Sequence, residues 1–355
     1  MWCAEHTLCV DDTTHTITLT ILCVYLQHIK HSKTLAHLLL YRWREVAMNQ
    51  TTIKKSIACS GVGLHSGKTV RMVLHPAAED TGIVFDIHTA QGVRRIAPEP
   101  QVVIATGLAT TLGMDGASVA TVEHLLAAIR GLEIDNITVE IEGGEVPIMD
   151  GSAASFVMLL RNAGIRRQTS ARKVFRIARP VHYERDGKSI RALPYDGFRV
   201  EYRIEFPHPL IGRQTLSIDI TPESFGEIAK ARTFGFLREV EYLHSKGLAL
   251  GGSLDNAIVL DDYSVLNPDG LRSPDEFVRH KVLDFVGDMA MMGVPLQGHF
   301  IVECSGHALN NGFLRMLEEN ASLYLEAVEL PVAEQHPAAL RPAARVATEG
   351  QPAIA

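Results

Sequence analysis

The chain has no Cys-x-x-Cys pair, and its five cysteines, at 3, 9, 23, 59 and 304, are an odd number. Neither a disulfide framework nor a thiolate zinc site is indicated, and a reducing, cytoplasmic compartment fits. It has no run near the roughly 18 to 20 uninterrupted apolar residues of a spanning helix, which excludes an integral membrane segment. An excess of positive charge is missing too: 34 Lys plus Arg stand against 41 Asp plus Glu, a formal charge of −7. Nucleic acid is therefore not expected as a partner, because phosphate binding is carried by basic surfaces. Aromatic residues make up only 6%, but with 46% apolar residues the composition is that of an ordinary globular chain. The 355 residues suggest two domains, each large enough for its own core.

What is present is unevenly spread. Residues 1–47 hold three of the five cysteines, both tryptophans and five of the sixteen histidines. This break in composition marks 1–47 as an N-terminal extension outside the fold, with Met48 as the expected natural start. The other reading, a His/Cys metal tract, lacks any ligand spacing. Residues 329–355 are expected to be a disordered tail, since Pro331 to Ala355 contains four prolines and no aromatic residue.

Between these ends the pattern alternates between periods. Val70, Met72 and Leu74, then Ile83 to Ile87 and Val102 to Ala105, read as strands from Thr51 onward. Ser118 to Arg130 switches to helical spacing through Val122, Leu125, Leu126 and Ile129. Ile137, Val139 and Ile141 then line one face of a strand over Asn136 to Glu142, and Ser155 to Asn162 reads as a helix. Arg166 to Arg172, basic and polar, reads as a linker between domain I (48–170) and domain II (171–328). In the second half Val174 to Ala178, Val181 to Glu184, Ser189 to Leu193 and Arg199 to Phe206 read as strands. Asp186-Gly187 and Asp196-Gly197 supply hairpin turns between them. A helix over Ser273 to Met292, a strand over His299 to Glu303 and a helix over Asn310 to Ala327 complete the expectation. The fold class is α+β: two similarly built domains of small, mostly antiparallel sheets and helices.

Three segments carry possible chemistry. On a helix, His280, Asp284 and Asp288 recur at i, i+4 and i+8 and share one stripe. Two carboxylates one turn apart repel, so a nearby cation would explain them, and His280 with Asp284 matches the reach of a divalent zinc ion. A solvated helix face with a His–Asp ion pair explains the same spacing. Glu123-His124 sets an acid beside a histidine on an apolar helix, the neighbour relation seen in His-Glu-x-x-His metalloproteases. A buried histidine with a hydrogen-bond partner accounts for it equally. Ser305-Gly306-His307 places a histidine next to glycine between a strand and a helix, where its ordinary pKa near 6.5 suits proton donation. An exposed loop histidine is the alternative. A site shared by these segments would lie in the cleft between domains. Gly61 to Thr69 ends in Gly-Lys-Thr like a phosphate loop, but Val62 stands where the first glycine is required. ATP or NAD binding is therefore unsupported.

Six motifs together, Gly61-Val-Gly-Leu-His-Ser-Gly67, Thr121-Val-Glu-His-Leu-Leu126, Asp150-Gly-Ser152, Ala231-Arg-Thr-Phe-Gly235, His280-Lys-Val-Leu-Asp284 and Gly306-His-Ala-Leu-Asn310, give the chain its resemblance. In order and spacing, from about Thr51 to Ala327, it resembles the UDP-3-O-acyl-N-acetylglucosamine deacetylase family, the zinc amidases of lipid A biosynthesis in Gram-negative bacteria. The resemblance implies two domains, each a small sheet packed with helices, with the helices between the sheets and the site between the domains, and Zn²⁺ held by His124, His280 and Asp284 with one position left open. It implies that Glu123 takes the proton of the attacking water, that His307 stabilises the oxyanion and protonates the leaving amine, and that Asp288 orients His307. Thr233 would add a hydroxyl donor to the oxyanion, and Phe234 and Lys281 would contact the substrate. The segment Leu248 to Leu260 matches the family's hydrophobic passage for an acyl chain; alone, it reads as a hairpin on the core. The chain departs from the family at Cys304, where members commonly carry Lys or Arg. The competing functions are a zinc amidase or esterase acting on another acylated substrate, and a non-catalytic zinc-binding protein of the same fold. A monomer is expected, because the site is complete within one chain.

Overall fold

Alternating side chains build the first sheet. Ile137, Val139 and Ile141 are fully buried, while Thr138, Glu140 and Glu142 face the other way. This strand, Ile137–Glu142, lies at the centre of a five-stranded sheet. Its neighbours are Thr69–Pro76, antiparallel, and Ile83–Thr89, parallel, and Ile57–Val62 and Gly92–Ile96 are the outer strands. The computed structural model describes residues 48–332, so the expected extension 1–47 and the tail from 333 onward lie outside the described residues.

The second sheet has seven strands and is centred on Leu296–Glu303. That strand pairs with Lys188–Leu193 antiparallel along one edge and with Phe198–Phe206 parallel along the other. Asp196-Gly197 therefore does not close the hairpin that its sequence suggests: the chain crosses the central strand and returns on its far side. Asp186-Gly187 does close one, with both residues in the left-handed region such a turn requires.

Seven α-helices are described: α1 (Glu123–Gly131), α2 (Ala154–Ala163), α3 (Phe225–Ile228), α4 (Leu237–Ser245), α5 (Glu276–Met289), α6 (His307–Glu319) and α7 (Ala321–Tyr324). α2 packs on the edge strand Ile57–Val62 of the first sheet, and α5 packs on Phe198–Phe206 and Gly212–Asp219 of the second. α1 joins them by packing on both α2 and α5. The fold is thus α+β, with helices between two sheets and one continuous apolar core. Among the described residues no helix is long and apolar enough to cross a membrane.

Four local expectations are corrected. The first helix starts at Glu123 instead of Ser118, because Ala117–Val119 is a strand and Thr121 turns the chain at φ 58°. Arg166 to Arg172 is not a linker: Ile165–Ala171 is a strand paired antiparallel with Asn49–Ile53, polar because no residue of this strand is buried. The last long helix spans His307–Glu319, and Leu325–Glu329 is instead a strand on Lys173–Ile177. Leu248 to Leu260 forms no hairpin, since Ile258–Leu260 runs parallel to Phe234–Phe236 with α4 between them.

Candidate active site

α1 and α5 cross in contact. A Cβ at Gly287 would sit 2.0 Å from the Glu123 carbonyl oxygen, so only glycine allows this approach. The contact brings Glu123 and His124 from one helix against His280, Asp284 and Asp288 of the other. All five are buried, at 3–4% exposure, which overturns the reading of the α5 stripe as a solvated face.

His124 Nε2 and His280 Nε2 are 3.1 Å apart, and both approach Asp284 Oδ1, at 3.3 and 3.4 Å. At most one proton fits between two imidazole nitrogens, so the remaining lone pairs converge on a point that favours a cation. Burial holds the His280 imidazole well below its usual pKa and hence neutral, the form that ligates metals. Burial opposes ionisation of Asp284, but His280 and Lys281 outweigh it and hold the carboxyl well below its ordinary range. Two imidazoles and one carboxylate form a donor set that could hold a divalent metal with room for a further ligand. Lys281 Nζ donates to the other oxygen, Asp284 Oδ2, at 2.7 Å.

Asp288, one turn further along α5, serves a different group. Its Oδ2 meets His307 Nδ1 at 2.7 Å and accepts from Asn310 Nδ2 at 2.7 Å. Oδ1 accepts from the Thr110 hydroxyl, also at 2.7 Å. His307 is the first residue of α6 and only 8% exposed, so it is not a loop-tip histidine. With Nδ1 fixed on Asp288, its Nε2 points at Glu123 Oε1, 3.9 Å away. Burial disfavours the imidazolium, but Asp288, then Glu123 and Asp284, outweigh this and raise the His307 pKa to about 9. Burial pushes the Glu123 carboxyl up, against the pull of His307 and His124. The Thr110 N–H donates to Glu123 Oε2 at 3.1 Å.

Glu123, His124, His280, Asp284 and His307 border a cavity of about 540 Å³, which is also lined by Thr233, Phe234 and Lys281. The Phe234 ring meets His280 edge-on at 5.6 Å, and Lys281 Nζ lies 5.9 Å from its centroid. The structure thus gathers every residue to which the resemblance gives a catalytic, metal-binding or substrate-contacting role, with Asp288 behind the cavity wall. Leu64, Leu108, Ile148, Phe206 and Phe236 are among its apolar lining residues, whereas no residue of Leu248 to Leu260 lines it. Arg185 and Lys188, flanking the Asp186-Gly187 turn, add cations at the wall. Sequence reasoning missed these two, as well as Thr110 and Asn310. Asn310 was within reach, since it lies one turn after His307 on a helix, but Thr110 sits in an aperiodic stretch that carries no signal.

Known proteins bear directly on this arrangement. Residues 50–319 match the family described as UDP-3-O-acyl N-acetylglycosamine deacetylase. A UDP-3-O-acyl-N-acetylglucosamine deacetylase of Oleidesulfovibrio alaskensis is 72% identical over 284 residues, covering 80% of this chain and 93% of the relative. Those of Lawsonia intracellularis and Chromohalobacter salexigens are 54% and 50% identical, over 79% and 76% of this chain and 93% and 90% of theirs. With its matched span covering the first sheet, six of the seven strands of the second and every helix that carries the site, the chain belongs to the UDP-3-O-acyl N-acetylglycosamine deacetylase family.

Proposed function

We propose that this chain is a zinc-dependent deacetylase that hydrolyses the N-acetyl group of UDP-3-O-acyl-N-acetylglucosamine. The products are acetate and UDP-3-O-acyl-glucosamine, and the reaction is an early committed step of lipid A biosynthesis in the cytoplasm. One observation carries the reading: the buried His124, His280 and Asp284 trio shares a cavity with a carboxylate and a histidine that face each other at 3.9 Å. A site that merely stored metal would need neither Glu123 nor His307.

His124, His280 and Asp284 would hold zinc, which when bound would supply Lewis-acid polarisation of the acetamide carbonyl and make water more acidic. Glu123, raised by burial toward the range of a useful base, takes a proton from the attacking water. His307, held as imidazolium by Asp288, donates from Nε2 to the oxygen that becomes negative as the carbonyl carbon turns tetrahedral. The same proton then passes to the amine nitrogen as the C–N bond breaks. Thr233 adds a hydroxyl donor to that oxygen. Phe234 contacts the sugar, Lys281 binds an oxygen of the sugar or diphosphate, and Arg185 and Lys188 supply diphosphate charge at the cavity wall. The apolar lining of the cavity takes the acyl chain. The two halves, 48–170 and 171–328, act as domains around this site, within a monomer.

The test is single-turnover deacetylation of the UDP-acylated substrate by metal-free protein with Zn²⁺ restored, beside Glu123→Ala and His307→Ala. Zinc-dependent acetate release that falls about 10²-fold or more in both variants, with zinc still bound, supports the reading. Full zinc occupancy in the wild type without turnover overturns it.

A further inference from the structure

Thr110 lies on no long element and is only 2% exposed, yet three of its polar groups engage the site. Its N–H donates to Glu123 Oε2 at 3.1 Å, its hydroxyl donates to Asp288 Oδ1 at 2.7 Å, and its carbonyl accepts from the N–H of Val122, just before α1, at 3.4 Å. The contacts form a closed circuit: Thr110 to Glu123, Glu123 across 3.9 Å to His307, His307 to Asp288, and Asp288 back to Thr110. Each carboxylate spends one oxygen on Thr110 and turns the other toward His307.

We infer that Thr110 is a positioning residue for the reaction, one that fixes the distance and angle between Glu123 and His307 by holding the outer oxygen of both carboxylates. The inference rests on the proposed deacetylase reading. Glu123 comes from α1 in the first half of the chain, and His307 and Asp288 come from the second. Thr110 binds both halves at the site itself, so rotation of either carboxylate is transmitted to the other through one residue. An aliphatic side chain of the same shape would keep the N–H on Glu123 and the packing, and would remove only the bond to Asp288. Asp288 would then be held by Asn310 and His307 alone, both on its other oxygen, and would be free to swing about that edge.

Thr110→Val, Thr110→Ser and wild type, each fully zinc-loaded, would be compared in steady-state deacetylation and in thermal melting. Expected for Thr110→Val is a kcat lower by about 10- to 100-fold, the scale of losing a support behind a working group, with KM within about two-fold and zinc content unchanged. Thr110→Ser should recover most of the kcat. An unchanged kcat in a folded Thr110→Val, or a loss that Thr110→Ser does not recover, overturns the inference. If the valine variant does not fold, Thr110→Ala against Thr110→Ser decides, and equal kcat in those two also overturns it. A readout without turnover separates this inference from the function: the low-field imidazole proton between His307 Nδ1 and Asp288, followed by NMR. It should shift or broaden in Thr110→Val and stay in place in Thr110→Ser even if no acetate is released; an unmoved resonance in the valine variant counts against the positioning role.

Discussion

Glu123 Oε1 and His307 Nε2 stand 3.9 Å apart, one side chain at the start of α1 and the other at the start of α6. The gap is too long for a direct hydrogen bond and short enough for both groups to reach the same pair of reacting atoms. In the proposed reaction, base and acid are thus within reach of one bond to be broken. Exchanging either for its neutral isostere should affect the chemical step more than binding. Glu123→Gln and His307→Gln are expected to keep KM within a few-fold while kcat falls about 10²- to 10⁴-fold. A KM that rises in step with an unchanged kcat would show that these groups bind substrate instead.

The His307 titration has a defined sign. In the metal-free protein its pKa is raised to about 9, above the value near 6.5 of the unfolded chain. The charged imidazolium therefore stabilises the fold fully below about 6.5, and this contribution is lost as pH rises through about 9, on the order of 3 kcal/mol in total. NMR titration of the metal-free protein should place the midpoint near 9, and Asp288→Asn should lower it toward the ordinary value. Zinc should also lower it, because a dication beside Asp284 repels the imidazolium. A midpoint that ignores both the substitution and zinc would contradict the Asp288–His307 pairing.

Gly287 should tolerate no side chain. Its missing Cβ lies where the Glu123 carbonyl oxygen sits, at 2.0 Å, and backbone cannot rotate away as a side-chain tip can. Gly287→Ala forces α1 and α5 apart, at a cost of about 1–3 kcal/mol or more, and the same movement separates His124 from His280 and Asp284. Urea denaturation and zinc affinity should therefore fall together. Loss of stability with undiminished zinc affinity would mean that the helix contact does not set the metal site.

The parts of this centre differ in how far they can be read from sequence. The His280, Asp284 and Asp288 stripe is legible because helical period alone aligns it, and Glu123 with His124 is legible as an acid and a base on an apolar helix. That the stripe is buried is not legible, because its burial comes from α1 crossing α5 at Gly287, a contact between distant segments. The Asp196-Gly197 turn misleads for a related reason: a strand about a hundred residues later, Leu296–Glu303, inserts between the two strands it joins. Thr110 is silent because its role depends on two carboxylates that reach it from different helices. Family motifs locate the reacting groups, but they say little about the supports behind them.

Glu145 supports the entry to α1. It is 2% exposed and accepts from the N–H groups of His65 and Ser66, at 2.8 and 3.0 Å, and from the Thr121 hydroxyl at 3.0 Å. Burial would raise its pKa, but these hydrogen bonds outweigh it and hold the carboxyl below its usual value. Its stabilisation is therefore present above the unfolded carboxyl range and is lost as pH falls through the lower folded value. Thr121 needs the hold, because a β-branched residue at φ 58° is strained. Glu145→Ala strands the buried Thr121 hydroxyl and two part-buried N–H groups and should cost about 1–3 kcal/mol in chemical denaturation. A neutral result would place the support of Thr121 elsewhere.

Asp284 and Asp288 lie one turn apart on the same stripe, yet their partners assign them different work. Asp284 faces two imidazole nitrogens, whereas Asp288 is enclosed by donors from Thr110, His307 and Asn310 and offers no free oxygen to a metal. Zinc bound only to the folded state raises thermal stability in proportion to the logarithm of its concentration over Kd, about 2.7 kcal/mol at a hundredfold excess over Kd. Wild type should therefore melt higher with zinc, and chelator should remove the increment. Asp284→Asn exchanges a charged ligand for a neutral amide and should lose most of that increment. Asp288→Asn should keep it while losing kcat, because only the orientation and charge of His307 are disturbed. If both variants lose the increment equally, Asp288 belongs to the metal site as well, and the division of labour along α5 is wrong.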